Sequence, residues 1–110
     1  MTTTLGTLEL AALLAVARLA DEAYGNAVRH DLSDRAARDY SVGAIYTTLQ
    51  RLETKGLLTS RASEPLPVRG GRSRRLFSVT AAGARAIRDA RQQAVAMWAG
   101  IESPTRARPT

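Results

Sequence analysis

Residues 41–58, SVGAIYTTLQRLETKGLL, leave the chain little conformational choice. Helical spacing puts Val42, Ile45, Leu49 and Leu52 on one face and Gly43, Thr47, Gln50 and Thr54 on the opposite one. Ser41 offers a hydroxyl to the first turn, and Gly56 offers the backbone freedom that ends a helix. A helix with one apolar stripe lies against a core and turns its other face outward. Here that outward face is small, uncharged and able to hydrogen-bond, and Tyr46 and Arg51 flank it. Such a face is either ordinary wetted surface or a surface that touches a partner, and the rest of the chain has to decide between them.

Upstream, residues 5–20, LGTLELAALLAVARLA, form a helix that is apolar almost all the way round. It needs cover on more than one side. In a chain of 110 residues, with room for one small core, the expected second cover is another subunit. Asp21 is the expected cap of a second helix over roughly residues 22–34, with Tyr24, Ala27, Val28 and Leu32 facing inward. The charged link DRAARDY, residues 34–40, leads to the third helix.

After Gly56 the period changes. Residues 57–63 and 73–79 read as short strands. They are joined by EPLPVRGGR, residues 64–72, a loop with two prolines and a Gly-Gly pair. Alternation predicts Arg75, Phe77 and Val79 on one face of the second strand, and Arg74, Leu76 and Ser78 on the other. Thr80 is the expected cap of a last helix reaching about Glu102. Along it, Ile87, Ala90, Ala94, Met97 and Ile101 recur at steps of 3, 4, 3 and 4, the spacing of a seam between two packed helices.

The order is therefore three helices, a hairpin and a long helix: mainly α with a small β-hairpin. This is the layout of a winged helix-turn-helix with a C-terminal dimerisation helix. Its expected parts are a DNA-binding unit over 1–80, a dimerisation helix over 81–102 and a flexible basic tail over 103–110. In this layout the third helix enters the major groove, and other elements hold phosphates. Gly43 and Ala44 permit close approach. Thr47 and Gln50 are the expected base readers, and Arg51 reaches guanine or phosphate. Ser41 and Tyr24 stand at helix starts. Tyr46 is open between packing and a phosphate contact, and Tyr24 between packing and a phosphate contact likewise. Arg69, Gly71, Arg72, Arg74 and Arg75 are the expected grip of the wing.

The charge agrees. Sixteen bases against ten acids give +6, and fifteen of the bases are Arg, whose planar fork suits phosphate and guanine edges. GC-rich codon usage accounts for Arg over Lys equally well. Residues 56–110 hold ten of the bases and three of the acids, which predicts one side facing a polyanion.

Four segments carry a resemblance: LGTLELAALLAVARL (5–19), EAYGNAVRHDL (22–32), YSVGAIYTTLQRLETKGLL (40–58) and GGRSRRLFSVTAAGARAI (70–87). In this order the chain resembles the PadR family of bacterial transcriptional regulators. The most specific part is Ser-Val-Gly followed by Tyr-x-x-Leu-x-x-Leu-x-x-x-Gly-Leu. Leu76-Phe77 and Ala82 depart from the family's Tyr-Tyr and acidic residue. The resemblance implies a homodimer that binds a near-palindromic operator in double-stranded DNA, usually as a repressor. It also looks like the short subfamily, in which a single last helix pairs subunits together with helix one. Leu5, Leu8, Ala12, Ile87, Ala90, Ala94, Met97 and Ile101 are then the expected dimer contacts. Trp98, the one tryptophan, is either interface packing or a platform for a small aromatic effector.

Other classes fit less well. A protein-docking winged helix and a non-specific nucleic-acid binder remain the alternatives. There is no Cys, the lone His30 reads as a surface residue, and the carboxylates lack metal-ligand spacing, so neither an enzyme nor a cofactor is expected. The longest apolar run, residues 10–17, falls far short of the roughly 20 residues needed to span a bilayer. With no signal-like segment at the N-terminus either, a cytoplasmic protein is expected.

Overall fold

The computed structural model describes residues 5–63, 74–101 and 107–109. Four helices and one antiparallel hairpin follow in order: α1 (Thr7–Leu19), a 3-10 turn (Ala20–Glu22), α2 (Gly25–Ala36), α3 (Val42–Thr54), β1 (Leu58–Ala62), β2 (Arg75–Val79) and α4 (Ala81–Trp98). This is a winged helix with one further helix. The hairpin register pairs Leu58 with Val79 and Ala62 with Arg75.

α1 is the hub of the core. Its buried Ala12, Leu13, Ala15 and Val16 meet Val28 and Leu32 of α2, Ile45, Leu49 and Leu52 of α3, and Leu57, Leu58, Leu76 and Phe77 of the hairpin. Leu5, Leu8, Ala86 and Ile87 pack against the margin of this cluster. Cover for the apolar helix thus comes in large part from the chain itself, while Leu5, Leu8, Leu10 and Leu14 stay only half-buried. Each fully buried Leu or Ile contributes about 1.5–3 kcal/mol of transfer free energy.

The local signals act through named atoms. Ser41 Oγ accepts from the Ala44 N–H at 3.1 Å and opens α3. Gly56 takes φ +77, a conformation costly for any residue with a Cβ, and turns the chain from α3 into β1. Thr80 Oγ1 accepts from the Gly83 N–H at 3.0 Å and donates to the Gly56 carbonyl at 2.7 Å. One side chain therefore caps α4 and ties it to the α3–β1 turn. Gly83 lies so close to that turn that a Cβ there would collide with the Leu57 carbonyl.

Tertiary context shifts four other expectations. Asp21 does not cap α2; it lies in the 3-10 turn, and Tyr24 occupies the cap position. The reason is that residues 23 and 24 are drawn to the sheet. The Phe77 N–H donates to the Ala23 carbonyl at 2.9 Å, and Tyr24 bridges Leu76. With that bridge on its open edge and helices packed beside it, β2 buries both Leu76 and Phe77, so alternation does not separate core from solvent. Val42 is 50% exposed, and Thr48 is buried in its place, with its hydroxyl donating to the Ala44 carbonyl at 2.7 Å. Finally, α4 ends at Trp98 and Gly100 turns at φ +84, so Ile101 falls outside the helix whose seam it was expected to extend.

Two ion-pair clusters fasten helices to one another. Asp31 of α2 binds Arg18 of α1 at 2.5 Å and Arg35 at 3.3 Å. The hydrogen bond from Arg18, helped by Arg35, holds the Asp31 carboxyl below its usual 3.8. Lys55 pairs with Glu9 at 2.8 Å, which joins the end of α3 to the first turn of α1 and lowers the Glu9 carboxyl below its usual 4.5. The Gly6 N–H also donates to Glu9, at 2.9 Å.

Candidate nucleic-acid interface

The outward face of α3 is free of the core. Gly43, Ala44, Thr47, Gln50, Arg51 and Thr54 are all exposed, while Ile45, Leu49 and Leu52 on the opposite side have no exposure at all. A Cβ on Gly43 would meet nothing within 4 Å, so the protein's own packing does not demand glycine there. Thr47, Gln50, Arg51, Thr54 and Lys55 line a shallow open depression along this face. Hydroxyl, amide and guanidinium groups in one row can both donate and accept, as reading base edges requires.

A second depression lies where α2 begins, beside the first turn of α3 and the foot of the hairpin. Tyr24, Gly25, Asn26, Val42, Tyr46 and Arg74 are among its walls. Tyr46 is 45% exposed, and its ring presses on Gly25 so closely that a Cβ there would stand 2.5 Å from the hydroxyl oxygen. The tyrosine is thus packed and exposed at once. The Arg74 guanidinium lies 4.0 Å from the centre of the Tyr24 ring. Such stacking holds the planar fork in place while leaving its edge able to meet an anion.

The structure therefore brings together Ser41, Gly43, Ala44, Tyr46, Thr47, Gln50 and Arg51 on α3, with Tyr24 and Arg74 adjacent. Arg75 behaves differently from Arg74: its Nε donates to Ser60 Oγ at 3.0 Å. Arg69, Gly71 and Arg72 lie outside the described residues. Sequence reasoning passed over Val42 and Asn26. Helical spacing assigned Val42 to the core, and no pattern marked Asn26, which joins the second depression only through the packing of α2 on α3.

The expected subunit contacts divide. Ala12 is fully buried in the chain's own core, so it supports such a surface from behind and does not form it. Leu5, Leu8, Ile87 and Ala90 are partly covered, while Ala94 is exposed. Met97 (81%), Val95 (63%), Trp98 (62%) and Ile101 (52%) stand largely in the open. Val95 was not among the expected contacts, because it lies off the 3-4 spacing.

Among the described residues no group of three His, Cys, Asp or Glu side chains is placed to hold a metal ion. No described helix is long and apolar enough to cross a membrane.

Comparison with known proteins gives the same architecture. The model of the transcriptional regulator PadR-like family matches residues 13–89. A PadR family transcriptional regulator from Eggerthella lenta superposes with a TM-score of 0.65 at 27% identity, covering 86% of this chain and 83% of that one. A PadR-like transcription factor from Bacteroides fragilis gives 0.70 at 22% identity, covering 84% of each chain. RosR from H. salinarum gives 0.69 at 22% identity, covering 89% of this chain and 81% of that one. No curated protein matches the chain.

Proposed function

Because the chain belongs to the PadR-like family of transcriptional regulators, and so is a regulator and not an enzyme, we propose that it is a cytoplasmic repressor. It binds a near-palindromic operator as a homodimer, with residues 1–80 as the reading unit. The observation that carries this reading is the split of α3: a stripe of zero exposure fixes the helix, and an exposed row of Thr47, Gln50 and Arg51 faces outward. Two copies of α3 enter successive major grooves about 34 Å apart. Thr47 and Gln50 read base edges, and Arg51 meets guanine or phosphate. Arg74, steadied on Tyr24, and the hydroxyl of Tyr46 hold the backbone on either side of the first turn of α3. The wing residues Arg69, Gly71 and Arg72 complete the grip.

Pairing of subunits is supported by the open apolar end of α4. Met97, Val95 and Trp98 stand largely in the open on one stretch of helix, an apolar patch of the kind that marks an interaction surface. The two α4 helices, with Leu5 and Leu8 at their margin, set the separation of the reading heads. A small aromatic effector stacking on Trp98 releases DNA by favouring a separation that no longer fits the operator, which requires tighter binding to that state.

Footprinting on the DNA upstream of the protein's own gene tests the reading. Protection of a site with two-fold symmetry is expected; protection no better than on random duplex sinks it. Gln50→Ala should relax sequence preference at a cost of about 1–3 kcal/mol. Met97→Asp should sediment as a monomer at concentrations where the parent is a dimer. Quenching of Trp98 by planar aromatics, coupled to loss of DNA, decides the effector.

A further inference from the structure

The two neighbouring arginines at the foot of the hairpin point to different tasks. Side chains alternate along a strand, and Arg74 goes to the ring of Tyr24 while Arg75 goes to Ser60. Ser60 does not face Arg75 across the hairpin; it faces Phe77, and Arg75 faces Ala62. The Arg75 chain therefore runs diagonally back across the sheet, a reach open to long side chains. Ser60 Oγ, which accepts from Arg75 Nε at 3.0 Å, donates in turn to Glu53 Oε2 at 2.7 Å. Glu53 belongs to α3.

One hydroxyl thus spends its single proton on a carboxylate and a lone pair on a guanidinium, so both of its bonds are charge-assisted and directional. The relay bridges three elements that the backbone joins only through the turn at Gly56 and through the wing loop. Thr80 ties the base of that turn. The relay ties the hairpin further along, where it leaves α3.

We propose that Glu53 and Ser60 are positioning residues which, by holding Arg75, set the angle of the wing to the reading helix. Arg75 is then a brace within the protein and not a grip on DNA. The proposal rests on the DNA-reading function above. If it holds, the wing reaches the flanks of the operator only while the relay is intact, whereas α3 still enters its groove without it.

The test uses the full chain and the operator found by footprinting. Arg75→Ala and Ser60→Ala should each weaken operator binding on the order of tenfold, the worth of one charge-assisted hydrogen bond. Hydroxyl-radical protection should fade at the flanks and persist at the centre, a split that mere loss of stability does not produce. The slope of log K against log salt should fall equally in Arg75→Ala and Ser60→Ala, because both release the same wing contacts, whereas Arg74→Ala should lower it by about 0.9, one phosphate contact, and leave flank protection in place. Ser60→Thr and Glu53→Gln, which keep the hydroxyl and the acceptor, should restore flank protection. The Ser60→Ala, Arg75→Ala double variant should lose no more than either single one. A salt slope that falls for Arg75→Ala but not for Ser60→Ala, additive losses, or uniform fading of the footprint overturns the proposal. If the parent protects no specific site, the DNA-reading function fails on its own. The brace is then decided on the free protein by residual dipolar couplings: a hairpin that keeps its angle to α3 in Ser60→Ala overturns it.

Discussion

The reading unit and α4 are both rich in apolar residues, yet they meet opposite fates. In the reading unit, Leu13, Ile45, Leu49, Leu52 and Leu58 are sealed by three helices and a hairpin. In α4, Gly83 is the one fully buried position among the described residues, and every position beyond Ala90 is exposed. Helical periodicity is present in both. What differs is the supply of partners: α1, α2, α3 and the hairpin cover one another, whereas the far half of α4 extends past the end of the core. An amphipathic pattern therefore says that a face needs cover, and does not say which chain provides it.

The largest test of this contrast is a pair of truncations. Leu49→Ala should cost about 2–5 kcal/mol, because it opens a cavity in a sealed core. Met97→Ala, measured at concentrations where the chain is a monomer, should stay within about 0.5 kcal/mol. Urea unfolding followed by circular dichroism reads both, and a comparable loss from Met97→Ala would show that α4 is packed against its own chain after all.

A second pair separates the two ends of α4's anchoring. Gly83→Ala forces a methyl group onto the Leu57 carbonyl and should cost about 1–3 kcal/mol. Gly43→Ala, with nothing within 4 Å, should instead stabilise α3 by up to about 1 kcal/mol. The same melts check them, and a neutral Gly83→Ala would mean that the start of α4 is not clamped. Smaller again is Thr80→Ala, which removes both the cap and the tie to Gly56, at about 1 kcal/mol; thermal unfolding reads it.

The smallest effect is that of pH. Asp31 and Glu9 have folded-state values below their usual 3.8 and 4.5, so they bind protons more readily when unfolded. Their contribution is present in full above the unfolded values and is lost as pH falls through the lowered folded values. Stability should be level above about pH 5 and decline below pH 4, by no more than about 1 kcal/mol for each partly exposed pair. Acid titration of the unfolding free energy checks it, and in Asp31→Asn the decline should shrink.

Much of this was legible in the chain. Ser41, Gly56 and Thr80 act where their chemistry placed them, since a cap or a left-handed stop is a contract among residues three or four apart. The polar row Thr47, Gln50, Thr54 and the buried Ile45, Leu49, Leu52 follow from the helical repeat alone. The PadR-like resemblance, carried by four segments between residues 5 and 87 and most specifically by 40–58, extended this to the whole architecture.

What the chain alone did not disclose are meetings between segments distant in sequence. Ala23 and Tyr24 leave the expected helix because β2 offers unpaired backbone groups, and a strand edge outcompetes the cap that Asp21 would have made. Val42 and Thr48 exchange burial because the surface that covers α3 does not extend over its first turn. Tyr46 reaches Gly25, and Glu53 reaches Arg75 through Ser60, by way of crossing angles that no local repeat encodes. Local periodicity and capping determine which residues form a helix and which side of it is greasy. Only the packed chain determines what each side touches, because that depends on where other segments arrive.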